Sequence, residues 1–421
     1  MHEPGSTPAD ILAEMLRAVL TDMTPRPFAV QLWNKTTIEP SQGEPARFTL
    51  SLKHPGVLRA LTEHSSRLAA GRAYIDGHLD IEGDLEAAIA FIDGMSRVEL
   101  PVPVDLANLI PGTPLESAAG SSEHRGEPLT LERTKGAVNF HYDLPLEFWR
   151  YWLDSKLLYT CAYFATPHES LDSAQTHKLD HICRKLMLKP GDRLLDVGCG
   201  WGGLAIHAAK HYGARVLGVT LSELQARWAN ELAVQAGVQD RVRVVVRDFR
   251  EIPPEDGAEK IAAIGVVEHM GDNLRGEFFK CLHGLLPPGG LLLVQGIVHN
   301  PLAELSDGAA FVDEYIFPDA GLAPISTLLT QAETASLELR DAENLREHYV
   351  ITLRHWLRGL EAHAEPIRRL ITDARYRAFR AYLAGFAFEM ERGGLSVFQV
   401  LLARRGKHSL PLTRAHLYPA V

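Results

Sequence analysis

Three glycines at alternate positions, Gly198, Gly200 and Gly202, close an apolar run that begins Leu194-Leu195-Asp196-Val197. Helical character resumes at once in Leu204-Ala205-Ile206-His207-Ala208-Ala209. This order reads as a buried strand, a tight turn and a helix start. Glycine lacks a Cβ and takes positive φ freely, so such a turn carries bare backbone up to a nucleotide-like ligand. A side chain at Gly198 or Gly200 is expected to fill the space that ligand needs. The turn alone leaves the ligand open. G-x-G-x-G is the spacing read here, but Gly203 also makes the dinucleotide spacing G-x-G-x-x-G available.

The surrounding pattern sets the fold class. Strands are predicted over Arg193–Val197, Ala214–Thr220, Arg241–Arg247, Lys260–Val266 and Gly290–Val298, with helices over Glu223–Ala236 and Asn273–Leu286. Regular strand–helix alternation with short turns means a doubly wound parallel α/β sheet covered on both faces. A less regular insertion follows at Asn300–Thr330, then a helical stretch from 346 to 392 and a closing strand at Leu395–Ala403. At 421 residues the chain exceeds one typical domain. Residues 1–100 read as a small α+β domain, with a helix at Ile11–Leu20 and strands at Phe28–Leu32 and Arg47–Leu52. Residues 101–135 are rich in Pro, Gly and Ser and read as a linker, which leaves 136–421 as the domain of the glycine turn.

Composition excludes several functions. A formal charge of -10 argues against a nucleic-acid binder, because phosphate contacts need a basic surface. Cys161, Cys183, Cys199 and Cys281 form no C-x-x-C pair, so reduced thiols and no metal site are expected. No apolar run approaches bilayer length, and Met1-His2-Glu3-Pro4 opens no basic-then-apolar leader, so a cytoplasmic protein is expected.

Candidate chemistry collects at the strand ends. In dinucleotide sites an acid near the end of the second strand binds the ribose, but here that strand ends Thr220-Leu221-Ser222, which counts against NAD. Asp248-Phe249 ends the third strand. The pair suits an adenine amino group and ring, although Asp248 equally suits a helix cap. Glu268 and His269 end the fourth strand and are candidates for acid–base or positioning roles, with a hydrogen-bonded core histidine as the alternative for His269. Upstream, Asn139–Trp149 and Leu157–Phe164 are aromatic-rich and read either as a lid over a ligand or as core. Nothing in the sequence sets a histidine beside Cys161 to make it a nucleophile.

Taken in order, NFHYDLPLEFW (139–149), YTCAYF (159–164), LLDVGCGWGG (194–203), GVTLSELQ (218–225), VVEHMG (266–271) and EYIFPDAGL (314–322) resemble the cyclopropane-fatty-acyl-phospholipid synthase family of S-adenosylmethionine (SAM)-dependent methyltransferases, which includes the mycolic acid cyclopropane synthases. HYVITLRHW (348–356) and FQV (398–400) extend the match, and AYIDGHLDIEGDL (73–85) resembles the small front domain of bacterial members. The resemblance implies SAM contacts at Tyr159, Thr160, Gly198, Gly200, Thr220, Leu221, Gln225, Asp248 and Phe249. It implies methyl transfer to a cis double bond in a phospholipid acyl chain. A bound bicarbonate would then be held by Glu268, Tyr349 and the backbone at Cys161 and Ile297. Two positions depart from the family pattern: Gln295 stands where a histidine is usual, and Phe386 where a cysteine is. A neutral amide donates to an anion but carries no charge. Bicarbonate dependence and the final product are therefore open between a cyclopropane and a methylene or methyl-branched chain. The resemblance also implies transient contact with the inner membrane face and leaves a homodimer open. A small-molecule amine methyltransferase and a catalytically silent lipid binder are the competing readings.

Overall fold

The computed structural model describes residues 8–23, 25–41, 43–57, 66–95, 130–303, 308–406 and 410–418. The chain forms two compact units. One comprises Met1–Ser122 with Leu305–Ile316 and Ile371–Phe388; the other comprises Glu123–Glu304, Phe317–Leu370 and Glu389–Val421.

The first unit is built on a four-stranded sheet, β1 (Phe28–Gln31), β2 (Thr37–Ile38), β3 (Phe48–Leu52) and β4 (Leu79–Gly83), in the order β2-β1-β3-β4. Its alternating strands bury Phe28 and Phe48, whose rings stack at 4.8 Å, and Phe91 closes on Phe28 at 4.4 Å. Two segments from the far half of the chain complete this unit. Phe311, on the helix Gly308–Tyr315, packs where a Cβ on Gly71 would stand 2.7 Å from its ring. Glu314 pairs with Arg72 at 2.7 Å, and Arg380 donates to the Tyr74 hydroxyl and the Ile81 carbonyl, both at 2.9 Å. The sequence reading had given 305–316 and 371–388 to the domain of the glycine turn. Pairing across nearly 300 residues leaves no local periodic signal.

The second unit carries a seven-stranded sheet in the order β10-β11-β9-β8-β5-β6-β7. Strands β5 (Arg193–Val197), β6 (Arg215–Thr220), β7 (Val242–Val246), β8 (Lys260–Ile264) and β9 (Leu291–His299) run parallel. β11 (Leu395–Arg404) is antiparallel to both β9 and β10 (Leu337–Asn344). The long β9 is buried at nearly every position, as expected of a strand covered on both faces. β10 was not foreseen. Half of its sequence LELRDAEN is charged, because it is an edge strand facing solvent for much of its length.

Three other boundaries differ from expectation. The limit at 135/136 falls inside the helix Leu131–Tyr142, which Thr130 caps by accepting from the Arg133 N–H. Linker residues 101–129 lie outside the described residues. The insertion after β9 contains the helices Gly308–Tyr315 and Ile325–Thr334. The stretch 346–392 is three helices, Arg346–Ala362, Ala364–Leu370 and Asp373–Glu391.

Candidate active site

The carboxyl ends of β5 to β8 and their following loops line one cavity, where open α/β sheets hold their ligands. Every residue assigned to SAM by resemblance borders it: Tyr159, Thr160, Gly198, Gly200, Thr220, Leu221, Gln225, Asp248 and Phe249. The three turn glycines all lie at positive φ, +74°, +54° and +82°. They serve different ends. A Cβ on Gly198 would stand 2.5 Å from Val266 Cγ2 and one on Gly202 3.0 Å from the Ala229 Cβ, while one on Gly200 would meet nothing within 4 Å. The expectation for Gly198 is therefore corrected: its missing side chain makes room for Val266. Gly200 opens onto the cavity, so that cradle fits a ligand pressed against backbone.

Around the turn the polar groups are already committed. The Thr220 hydroxyl donates to Gln225 Oε1 at 2.7 Å, and Ser222 caps the helix Glu223–Gln235 that carries Gln225. Asp248 realises its alternative reading. It caps the short turn Phe249–Glu251 and grips Arg250 at 2.7 and 3.0 Å while still bordering the cavity.

Gly265, just past β8, and Gly296, on β9, flank the Glu268 carboxyl. A Cβ on Gly296 would stand 3.2 Å from Glu268 Oε2, and one on Gly265 3.8 Å from Oε1. Glu268 Oε2 is buried with no hydrogen-bond partner among the described residues. Burial pushes this carboxyl up to about 7, against the opposing pull of the N–H groups of Glu268 itself and Ile297. Glu268 and Ile297 are thus brought together, as the resemblance implied. The Leu345 carbonyl lies 3.7 Å from Cys161 Sγ and accepts from the Tyr349 N–H at 3.0 Å at the start of the helix Arg346–Ala362; neither Cys161 nor Tyr349 borders the cavity. Burial raises the Cys161 thiol, so it stays protonated and is a poor nucleophile. Gln295 faces Gln399 across the β9–β11 pair and accepts its amide proton at 2.9 Å. Phe386 belongs to the first unit, packed on Tyr382 at 4.6 Å.

Of the aromatic segments, Tyr142 and Tyr159 border the cavity and Trp149 and Trp152 are core. Around the Tyr159 ring stand Trp149, Trp152, Trp356 and His141, at 5.1, 5.2, 5.0 and 5.6 Å. His269 borders the cavity between Tyr142 and Phe317, and burial lowers it to about 4, so it is neutral at physiological pH.

Sequence reasoning missed Lys178. It lies on the helix Leu171–Lys185, borders the cavity and is 1% exposed. The signal was present: Lys178 and Lys185 sit on the same stripe as Ala174 and Ile182, and a lysine on an apolar helix face needs a reason. Burial lowers Lys178 to about 8 and raises Asp196 beside it to about 7.

Solved structures share this fold. The cyclopropane synthase MmaA2 from Mycobacterium tuberculosis matches with TM-score 0.61 and 31% identity, over 64% of this chain and 98% of that one. The mycolic acid cyclopropane synthase CmaA1, solved with S-adenosylhomocysteine (SAH), matches with the same score, identity and coverage. Fold and cavity thus define the class: the chain is a SAM-dependent methyltransferase. Residues 15–96 match a domain model described only as of unknown function. Residues 130–400 match the model described as mycolic acid cyclopropane synthetase, and the chain belongs to that family. Two relatives align along nearly the whole chain. A probable fatty acid methyltransferase of Pseudomonas putida is 35% identical over 93% of this chain and 96% of its own length. One of Mycobacterium tuberculosis is 32% identical over 87% and 90%.

Proposed function

We propose that the enzyme methylates a cis double bond in the unsaturated acyl chain of a phospholipid, with a cyclopropane fatty acyl chain as product. The observation that carries this reading is the Glu268 carboxyl: a base poised near neutrality, one oxygen unpartnered among the described residues, beside Gly265 and His269, which border the cavity. When bound, SAM supplies an electrophilic methyl group. An isolated alkene is a weak nucleophile, so holding it in line within a dry site accounts for much of the rate. Methyl addition leaves a cation in the acyl chain. The faces of Tyr142 and Tyr159, which border the cavity, stabilise positive charge without adding to it, and the buried Trp149 and Trp356 packed around Tyr159 keep out water that would quench it. Neutral His269 adds no competing charge. Glu268 Oε2 then takes the proton lost from the new methyl, and the ring closes; a bicarbonate, if bound, would be held by Glu268, Tyr349 and the backbone at Cys161 and Ile297 and would supply a base.

An acyl substrate is supported by the names of the two relatives that match both ends of the chain, the probable fatty acid methyltransferases. No helix among the described residues is long and apolar enough to cross a membrane, so the lipid would be met at the bilayer surface. The Gln295–Gln399 pair favours a second product. A neutral amide already bonded to its neighbour holds an anionic base less firmly than a histidine, and a cation left unclosed loses a proton from a neighbouring chain carbon to give a methyl-branched alkene, or, after a 1,2-hydride shift, from the methyl to give a methylene chain. Incubation with methyl-labelled SAM and vesicles of unsaturated phospholipid, followed by mass spectrometry of the acyl chains, tests the proposal. A cyclopropane or branched acyl product supports it. Label in a small amine, or none in lipid, refutes it.

A further inference from the structure

We propose that Lys178 is a positioning residue for the carboxylate of the cofactor's amino-acid end, acting through the hydroxyl of Thr160. The inference rests on the reading that this cavity holds SAM. Helix Leu171–Lys185 grips the segment Leu158–Thr160 with two side chains one turn apart. Gln175 donates to the carbonyls of Leu158 and Thr160 at 3.1 and 3.0 Å, and Lys178 Nζ donates to Thr160 Oγ1 at 2.7 Å.

The direction of that last bond is fixed by chemistry. An ammonium has three donors and no acceptor, so the Thr160 oxygen accepts. The single hydroxyl proton is left to donate elsewhere, and no residue among those described accepts it. Thr160 borders the cavity, so the proton is available to a ligand there. A hydroxyl donor backed by a buried ammonium suits an anion, and SAM has one, its carboxylate.

Strand order places that end of the ligand correctly. Asp248 and Phe249, the adenine candidates, follow β7 at one edge of the sheet. Thr160 lies over the end of β8, where its Cγ2 stands 2.9 Å from a Cβ built on Gly265. β5 and β6 separate the two. A ligand with its adenine at β7 extends its amino-acid end toward β8. Lys178 otherwise lies in the field of Asp154 and Asp196, and Asp154 is already engaged by the N–H groups of Lys156 and Leu158 at 2.9 Å. A lysine is costly to bury without such a purpose.

The test compares SAM with decarboxylated SAM, which lacks only the carboxylate, by calorimetry on the full-length protein. Lys178→Met should weaken SAM binding by roughly 10- to 150-fold, the range for a hydrogen bond to a charged group, and leave decarboxylated SAM within about threefold. Thr160→Val, nearly isosteric, should weaken SAM selectively in the same way, and carries the test if the Lys178 variant does not fold. Equal losses for both ligands would mean that Lys178 only supports the fold, and unchanged SAM affinity in both variants would also overturn the proposal. Wild-type protein that binds no SAM would overturn the reading of the cavity and this proposal with it.

Discussion

Replacing Glu268 with glutamine should slow the enzyme and stabilise it at the same time. The glutamine keeps an oxygen for the Ile297 N–H and the shape that Gly265 and Gly296 leave for it. What it loses is the negative charge. In the folded protein the carboxyl titrates at about 7, well above its ordinary 4.5, because burial disfavours the ionised form. The sign follows from linkage. The folded state holds this proton more tightly than the unfolded one, so stability falls as pH rises from 4.5 to 7 and stays reduced above. At 1.36 kcal/mol per pKa unit, the loss is on the order of 3 kcal/mol. Glu268→Gln escapes it. Its melting temperature should therefore match wild type near pH 4.5, exceed it increasingly through pH 7, and keep a constant lead above. Activity should move oppositely. Removing a general base costs about 10²- to 10⁴-fold in kcat, and wild-type kcat should rise roughly tenfold from pH 6 to 8 while the variant stays flat. SAM affinity should be unchanged. Melting curves against pH, with kcat at saturating SAM and lipid, supply both readouts. A variant that melts lower than wild type at pH 8, or that turns over at the wild-type rate, refutes the assignment of Glu268 as a buried base.

Three further outcomes are expected. Gly200→Val should fold, with a destabilisation of about 1–2 kcal/mol from its left-handed backbone, yet fail to bind SAM by calorimetry, while Gly198→Val should be the less stable of the two because it strikes Val266. Gln295→His should raise stimulation by bicarbonate in carbonate-stripped buffer or shift products toward cyclopropane by mass spectrometry; strong stimulation of the native enzyme, unaltered in the variant, would show Gln295 to be a neutral replacement. Glu343 lies well below its usual range, at about 2, because His181 and Lys185 bond it at 2.7 and 2.5 Å. Its stabilising contribution is present above pH 4.5 and lost as pH falls toward 2, and Glu343→Ala, which strips buried Lys185 of a partner, should cost about 3–5 kcal/mol in urea unfolding at pH 7.

The sequence carried what depends on neighbours along the chain. β5 was legible from Leu194, Leu195 and Val197, because a strand covered on both faces is built mainly of apolar residues. The glycine turn was legible because positive φ leaves few residues to choose from. The residues that resemblance assigns to SAM all border one cavity, most of them at the carboxyl ends of β5 to β7, which the parallel sheet brings to one edge. Other features exist only through contacts distant in sequence. β10 is a strand because β11 pairs with it, and its charged composition conceals that. Phe311 and Arg380 belong with the front unit through contacts with Gly71 and Tyr74, which no local periodicity announces. Gly198 and Gly200 look alike in the sequence, yet one faces Val266 and the other open space. Lys178 became informative once Thr160 stood 2.7 Å from its nitrogen. Hydrophobic period and backbone conformation are local quantities and can be read from a chain. Which polar atom is buried, and against what, is fixed by how distant segments pack.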